Sequence, residues 1–312
     1  MTASTPIVEA REVSKRFGAL VAVDRLSFAV PPGEIFGLVG PDGAGKTTTM
    51  RMLAGVMRPD GGQIVADGVD VLAHPEQAKR HISYMPQRFG LYEDLTVDEN
   101  IRFYADLFDV PRDVRETRAV AMLAASDMLP FRKRLAGQLS GGMKQKLGLT
   151  CALVHTPKVV LLDEPTTGVD PLSRREFWQI LYGLRAEGVA LVISTAYLDE
   201  AERCDRLALL HGGHMVHCDT PAGLKARMPG AMLEVVSPEP RRARDALAGQ
   251  PGVRGVLLIG IGLHVHVDAA GRSDGLAAAL AAAGVPVSEI AEVAPSIEDL
   301  FVALLDNAET PA

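Results

Sequence analysis

An α/β fold built on a parallel sheet, followed by a smaller α+β domain, is what the sequence predicts, and three observations predict it. Apolar, β-rich runs alternate with stretches of helical periodicity from Val8 to about Met228, the pattern of strands feeding a parallel sheet. The glycine-rich stretch Gly40-Pro41-Asp42-Gly43-Ala44-Gly45-Lys46-Thr47-Thr48 lies between an apolar run, Glu34 to Val39, and a run from Thr48 to Val56 with Met50, Leu53 and Ala54 at helical spacing. Composition shifts near Met228, and the remaining chain changes its pattern of elements.

Taken in order, Val8 to Phe17 and Leu26 to Val30 read as strands, and Pro31-Pro32-Gly33 as the turn before the strand ending at Val39. Gly61-Gly62 and Asp67-Gly68 bracket Gln63 to Ala66 as a hairpin. Ile82 to Met85 is a short strand, with Gln87 directly after it. From Val97 to about Val154 the periodicity is helical, marked by Ile101, Tyr104 and Leu107, then Val120 and Leu123, then Met143, Leu147 and Leu153. This block, about residues 88–158, is a helical insertion in the parallel-sheet core. Val159 to Leu162 is a strand, Leu172 to Arg185 a helix, Ala190 to Ser194 a strand and Tyr197 to Arg203 helical. Leu207 to Leu210 and His214 to Val216 flank a Gly212-Gly213 turn. Residues 1–228 form the first domain on this reading and 229–312 the second. The second reads Met232–Val236 strand, Arg241–Ala248 helix, a strand pair over Val253–Val267, Ser273–Ala283 helix, Ile290–Val293 strand and a last helix over Ile297–Leu305. Strand-helix-strand-strand-helix-strand is the ferredoxin-like order. The tail from Asp306 is expected to fray.

Bulk properties exclude some functions. The 312 residues suffice for two domains, and 47% apolar with 23% charged residues is an ordinary globular composition. A net charge of −7 disfavours a basic nucleic-acid face, so no nucleic-acid partner is expected. Cys151, Cys204 and Cys218 have no paired spacing and suggest buried small hydrophobes in a reducing compartment. Met1 to Pro6 has no basic segment followed by an apolar core, so no signal peptide is expected. No apolar run reaches the roughly 18–20 residues that span a bilayer, and the chain is expected to be soluble unless a partner holds it at a membrane.

The chemistry lies in four stretches. Gly40 to Thr47 reads G-x-x-x-x-G-K-T, in which successive backbone N–H groups curl around a phosphate chain and the following helix adds its positive end. Lys46 supplies a charge for the outer phosphates, and the Thr47 hydroxyl is a Mg²⁺ ligand candidate. Val159-Val160-Leu161-Leu162-Asp163-Glu164 is an apolar strand ending in two carboxylates. Asp163 is placed to hold Mg²⁺ through water, and Glu164 to polarise an attacking water as general base. Leu139-Ser140-Gly141-Gly142-Met143-Lys144-Gln145 pairs a hydroxyl and two glycines at a helix start, a second anion-binding terminus, or alternatively a simple N-capped helix. Two such termini far apart in sequence suggest a nucleotide shared between two protomers. Gln87 carries an amide able to reach both Mg²⁺ and the attacking water, at the entry to the helical insertion.

Together these stretches resemble the nucleotide-binding domain of an ATP-binding-cassette (ABC) ATPase, from Val8 to about Met228 and in that family's order. The resemblance matches Gly40, Pro41, Asp42, Gly43, Ala44, Gly45, Lys46, Thr47 and Thr48 to Walker A, and Gln87 to the Q-loop glutamine. It matches Ser140, Gly141 and Gly142 to the signature, Asp163 and Glu164 to Walker B with its catalytic glutamate, and Thr167–Asp170 to the D-loop. Phe17 falls where the family stacks an aromatic on adenine. ATP and Mg²⁺ are the implied cofactors, held by Walker A and B of one chain and by Ser140–Gly142 of another. The chain is similar to ATPase subunits of ABC-2-type exporters, whose C-terminal domains end like Pro295-Ser296-Ile297-Glu298-Asp299-Leu300-Phe301. This implies a cytoplasmic subunit held peripherally on the inner membrane face by an integral membrane permease, and paired with a second ABC ATPase domain as homodimer or heterodimer. The alternative is a soluble ABC protein acting on ribosomes or DNA, or a regulatory ATP-binding module.

Two positions depart from the family. Ala196 stands where a switch histidine is expected, and no histidine occurs between His155 and His211. A methyl group makes no hydrogen bond to a γ-phosphate, so hydrolysis is expected to be slowed rather than abolished, with Tyr197 and Thr195 as partial substitutes. Asp42 adds a carboxylate where asparagine or serine is common, which is expected to weaken nucleotide binding somewhat.

Overall fold

A computed structural model describes residues 5–88 and 90–308 and divides them into two compact units, 1–218 and 219–312. The sequence reading puts its boundary near Met228, ten residues beyond this division.

In the first unit the elements run β1 (Val8–Phe17), β2 (Leu20–Val30), β3 (Ile35–Val39), α1 (Lys46–Leu53), β4 (Gly61–Ala66), β5 (Val69–Asp70), α2 (Pro75–Ala78) and β6 (Ile82–Met85). Then come α3 (Val97–Leu107), α4 (Arg112–Ala125), α5 (Gly141–Leu153), β7 (Val159–Asp163), α6 (Pro171–Ala186), β8 (Ala190–Thr195), α7 (Leu198–Ala201), β9 (Arg206–His211) and β10 (His214–Asp219). One sheet, ordered β2-β1-β4-β5, is antiparallel. The other, ordered β10-β9-β3-β8-β7-β6, is parallel from β9 through β6. Every residue of β3, β7 and β8 is buried. That is why these strands read as unbroken apolar runs instead of alternating ones. A shared core joins the two sheets through Leu26, Phe28, Phe36, Leu38, Met50, Leu161 and Val192, with Phe28 stacked on Phe36 at 4.9 Å. Cys151 and Cys204 are buried and Cys218 is half-buried, and among the described residues none of the three is in a disulfide.

Register places the working ends of the strands side by side. Val39 pairs with Thr195, Asp163 with Ser194 and Met85 with Leu162. The C-terminal ends of β3, β8, β7 and β6 are therefore level, the edge at which open parallel sheets bind ligands. The helical insertion has its own core of Val97, Ile101, Leu123, Leu147 and Cys151. Its entry is fixed locally. Thr96 and Glu99 form a capping box at the start of α3. The buried Asn100 amide donates to the Tyr92 and Leu95 carbonyls and accepts from the Tyr92 N–H.

The second unit continues α8 (Pro221–Lys225), β11 (Ala231–Val236), α9 (Pro240–Leu247), β12 (Val253–Ile259), β13 (Gly262–Val267), α10 (Ser273–Ala282), β14 (Glu289–Val293) and α11 (Ile297–Ala308). Its antiparallel sheet is ordered β12-β13-β11-β14. Leu233, Val235, Leu263 and Val265 alternate onto one face and pack with Leu247, Leu276 and Leu280 from α9 and α10. Register puts His264 opposite Glu234 on the other face, and there His264 Nδ1 meets Asp299 of α11 at 2.9 Å. Helix α11 is described to Ala308; residues 309–312, the rest of the tail expected to fray, lie outside the described ones. The two short helices α2 and α8 are absent from the sequence reading because four or five residues carry no readable period.

Candidate active site

The site is built on the level ends of four strands. After β3 the chain turns through Gly40–Ala44 and reaches Gly45, which caps α1 at φ +99°. A left-handed cap lets Lys46 start the helix while the loop N–H groups face inward. The Lys46 side chain, 4% exposed, folds back over the loop. Its Nζ donates to Gly40 O at 2.8 Å and Pro41 O at 3.1 Å, and lies 3.4 Å from Glu164 Oε1. The cation expected to serve the outer phosphates thus lies beside the Glu164 carboxylate. Asp42 and Gly43 are exposed.

Thr47 Oγ1 donates to Asp163 Oδ1 at 3.1 Å. Ser194 Oγ donates to the same oxygen at 2.6 Å, and Tyr84 OH donates to Oδ2 at 3.3 Å. Burial, with the Asp163 charge second, pushes the Tyr84 hydroxyl up to about 12. A hydroxyl and a carboxylate oxygen this close are hard donors of the kind Mg²⁺ takes, so the residues present fit that ion. Ser194 and Tyr84 escaped the sequence reading because each looked like an ordinary strand residue.

Glu164 is turned away from Asp163. Its backbone sits at φ +48°, and its N–H donates to Ser194 Oγ at 3.0 Å. The two carboxylates therefore do not share a partner: Asp163 collects hydroxyls, whereas Glu164 takes Lys46 and the Gln87 amide. Gln87 Nε2 donates to Glu164 Oε2 at 2.9 Å. Five predicted residues, Lys46, Thr47, Gln87, Asp163 and Glu164, thus converge.

The second predicted terminus lies against the segment following Glu164. Ser140 caps α5 and accepts from the Met143 N–H at 3.3 Å. A Cβ on Gly142 would fall 2.4 Å from the Ser173 side chain, and one on Gly141 would lie 3.7 Å from Gly168 O. Gly142 is therefore required for close packing within the chain, whereas the Gly141 distance is an ordinary contact that a methyl could make. Asp170 caps α6, and the Ser173 N–H it accepts holds its carboxyl below the usual carboxylate range. Phe17 ends β1 with its ring 48% exposed and Lys15 Nζ 5.7 Å from its centroid.

At the end of β8, Ala196 is exposed. Thr195 is not free to replace a histidine: its hydroxyl donates to Glu200 Oε2 at 2.9 Å and accepts the Tyr197 N–H at 2.9 Å. The Tyr197 ring lies under the Arg174 guanidinium at 4.5 Å. Glu200 is a buried residue that sequence reasoning missed, since it stands between Asp199 and Glu202 in a stretch read only as helical.

The ABC transporter family model matches residues 23–167. The Nod factor export ATP-binding protein I of Burkholderia pseudomallei (strain 1710b) is 37% identical over 263 residues, covering 84% of this chain and 86% of that protein. The chain belongs to the ABC transporter family. This ABC family member is also 42% identical over 308 residues to the probable multidrug ABC transporter ATP-binding protein YbhF of Escherichia coli (strain K12). That match covers 97% of this chain and 53% of the relative, so the chain spans about half the length of that protein. A solved structure described as the ATP binding subunit of an ABC transporter superposes with a TM-score of 0.65 at 30% identity, covering 71% of this chain and 92% of that one. Among the described residues of this ABC family member, no helix is long and apolar enough to cross a membrane.

Proposed function

We propose that this chain is the ATP-binding and ATP-hydrolysing subunit of an ABC exporter, coupling closure of a cassette pair to movement of a separate membrane permease. The observation that carries the catalytic part is the Glu164 carboxylate, poised between Lys46 and Gln87 beside the Thr47–Asp163 pair. The relatives named for multidrug transport and for Nod factor export support the exporter part.

In this reading the Gly40–Thr48 backbone cradles the phosphates of ATP and Phe17 lies under the adenine. Thr47 and Asp163 would hold Mg²⁺, which supplies charge neutralisation at the phosphates when bound. Lys46 has two competing anions, the Glu164 carboxylate and the terminal phosphate. A triphosphate draws the ammonium away and leaves Glu164 free to accept a proton from the attacking water. The amide of Gln87, bonded to Glu164 and preceding the helical insertion, ties that event to the insertion. Ser140–Gly142 of a second cassette would complete the site. The permease would hold the subunit at the inner membrane face, and residues 229–312 would serve as an accessory domain.

ATP turnover of the purified chain, compared with Glu164→Gln, tests this. The variant is expected to turn over about 10²–10⁴-fold more slowly, the usual contribution of a general base. Equal rates would remove Glu164 as the base.

A further inference from the structure

Glu200, at 0% exposure, is a carboxylate buried away from water. Burying such a charge is costly unless donors surround it. Its oxygens gather donors from three separate segments. Oε1 accepts from Thr166 Oγ1, and from Trp178 Nε1 at 3.4 Å. Oε2 accepts from Thr195 Oγ1 at 2.9 Å. Arg174 Nε stands 3.7 Å from Oε1, near enough to attract but too far for a hydrogen bond.

The segments joined are those that set the geometry of hydrolysis. Thr166 is two residues past Glu164, inside a turn closed by Thr167 N–H donating to Glu164 O at 3.3 Å. The direction of the Glu164 side chain depends on how that turn is seated. Thr195 immediately precedes Ala196, and its β8 neighbour Ser194 accepts the Glu164 N–H and donates to Asp163. Trp178 and Arg174 belong to α6, whose first turn abuts Gly142. With a methyl at position 196, that side chain offers no hydrogen bond to the attacking water. The burden of alignment falls on the aim of Glu164.

We propose that Glu200 is a positioning residue for ATP hydrolysis: through Thr166 it seats the turn that aims Glu164, and through Thr195 it fixes the end of β8 beside that turn. This rests on Glu164 being the base. The two ideas fail in different ways.

Thr166→Val removes one donor while keeping the shape. In the purified full chain it should lower kcat about tenfold, the scale of a sub-ångström misplacement, with KM for ATP within about twofold. Thr166→Ser, which restores the hydroxyl, should recover most of the rate. Thr195→Val and Thr195→Ser should repeat the pattern through the other oxygen, and they carry the test if Thr166→Val folds poorly. In a Glu164→Gln background Thr166→Val should cost nothing further, because there is no base left to aim. An unchanged kcat, a serine no better than valine, or a further tenfold fall in the Glu164→Gln background would overturn the proposal. A Glu164→Gln chain as fast as wild type would instead remove the base assignment, and the Glu200 role with it. A slow Glu164→Gln beside an unimpaired Thr166→Val and Thr195→Val would sink the Glu200 role alone.

Discussion

Replacing Gly45 by alanine separates two costs that the phosphate loop imposes on any side chain. Gly45 has φ +99°, and an added Cβ would fall 2.3 Å from Ala22 O. Gly43 has φ +81°, yet nothing lies within 4 Å of where its Cβ would be. Both substitutions incur backbone strain of about 1–2 kcal/mol. Only Gly45→Ala adds a clash with a backbone carbonyl, which cannot swing aside as a side chain would; overpacking of this kind costs about 1–3 kcal/mol more. The expected loss of stability is thus about 1–2 kcal/mol for Gly43→Ala and about 2–5 kcal/mol for Gly45→Ala. Urea unfolding of the nucleotide-free chain, with ATP affinity measured in parallel, reads both terms. Equal destabilisation by the two variants would refute the reasoning, since it would mean that β2 yields freely to the loop.

Other outcomes follow from the same geometry. Ala196→His should raise turnover of the isolated chain by about tenfold or more, the scale of one restored transition-state contact; a steady-state assay showing no gain would count against Ala196 as the cause of slow hydrolysis. Phe17→Ala should weaken ATP binding about tenfold, within the roughly 1–3 kcal/mol of base stacking on an aromatic, and leave kcat intact; calorimetric titration checks this. His155 should make the fold acid-sensitive. Burial, with Arg118 second among the lowering causes, depresses its pKa from 6.5 to about 4. The unfolded chain then binds the proton first, so stability is full above pH 6.5 and falls as pH drops toward 4. The loss is about 3 kcal/mol at roughly 1.36 kcal/mol per unit, nearer about 2 after screening of a partly exposed ring. His155→Phe, which keeps the 3.9 Å stack on Phe108, should flatten that slope in pH-dependent unfolding.

Much of the site was legible because its residues announce themselves by type and spacing. The loop of Gly40–Thr48 and the buried strand ending in Asp163–Glu164 could be placed from apolar periodicity and turn chemistry alone. What stayed hidden depends on partners distant in sequence. Ser194, Tyr84 and Glu200 gain their roles from register and burial, which a single sequence does not display. Glu200 was disguised by acidic neighbours, Asp199 being exposed where Glu200 is not. Lys46 was read for a ligand, and its 3.4 Å approach to Glu164 stayed hidden because the two residues are brought together only by the fold. The second unit was read well in its order of elements because its short β-rich runs are set apart by helical stretches and glycine-bearing turns. Its short flanking helix α8 was not, since a single turn carries no period.

The level strand ends have a mechanical consequence. β3, β7 and β8 are each laced to neighbours on both sides, so the residues they deliver move only if a ladder of hydrogen bonds is broken. β6 is the edge strand, four residues long and bound on one side only, and Gln87 hangs from its end. Stiffness is therefore graded across the sheet, with the phosphate loop and both carboxylates on the rigid interior and the amide that reaches Glu164 on its most compliant border. Force arriving through the helical insertion would bend that border first, reaching Glu164 through the Gln87 amide while the strands that carry the phosphate loop and Asp163 hold their places.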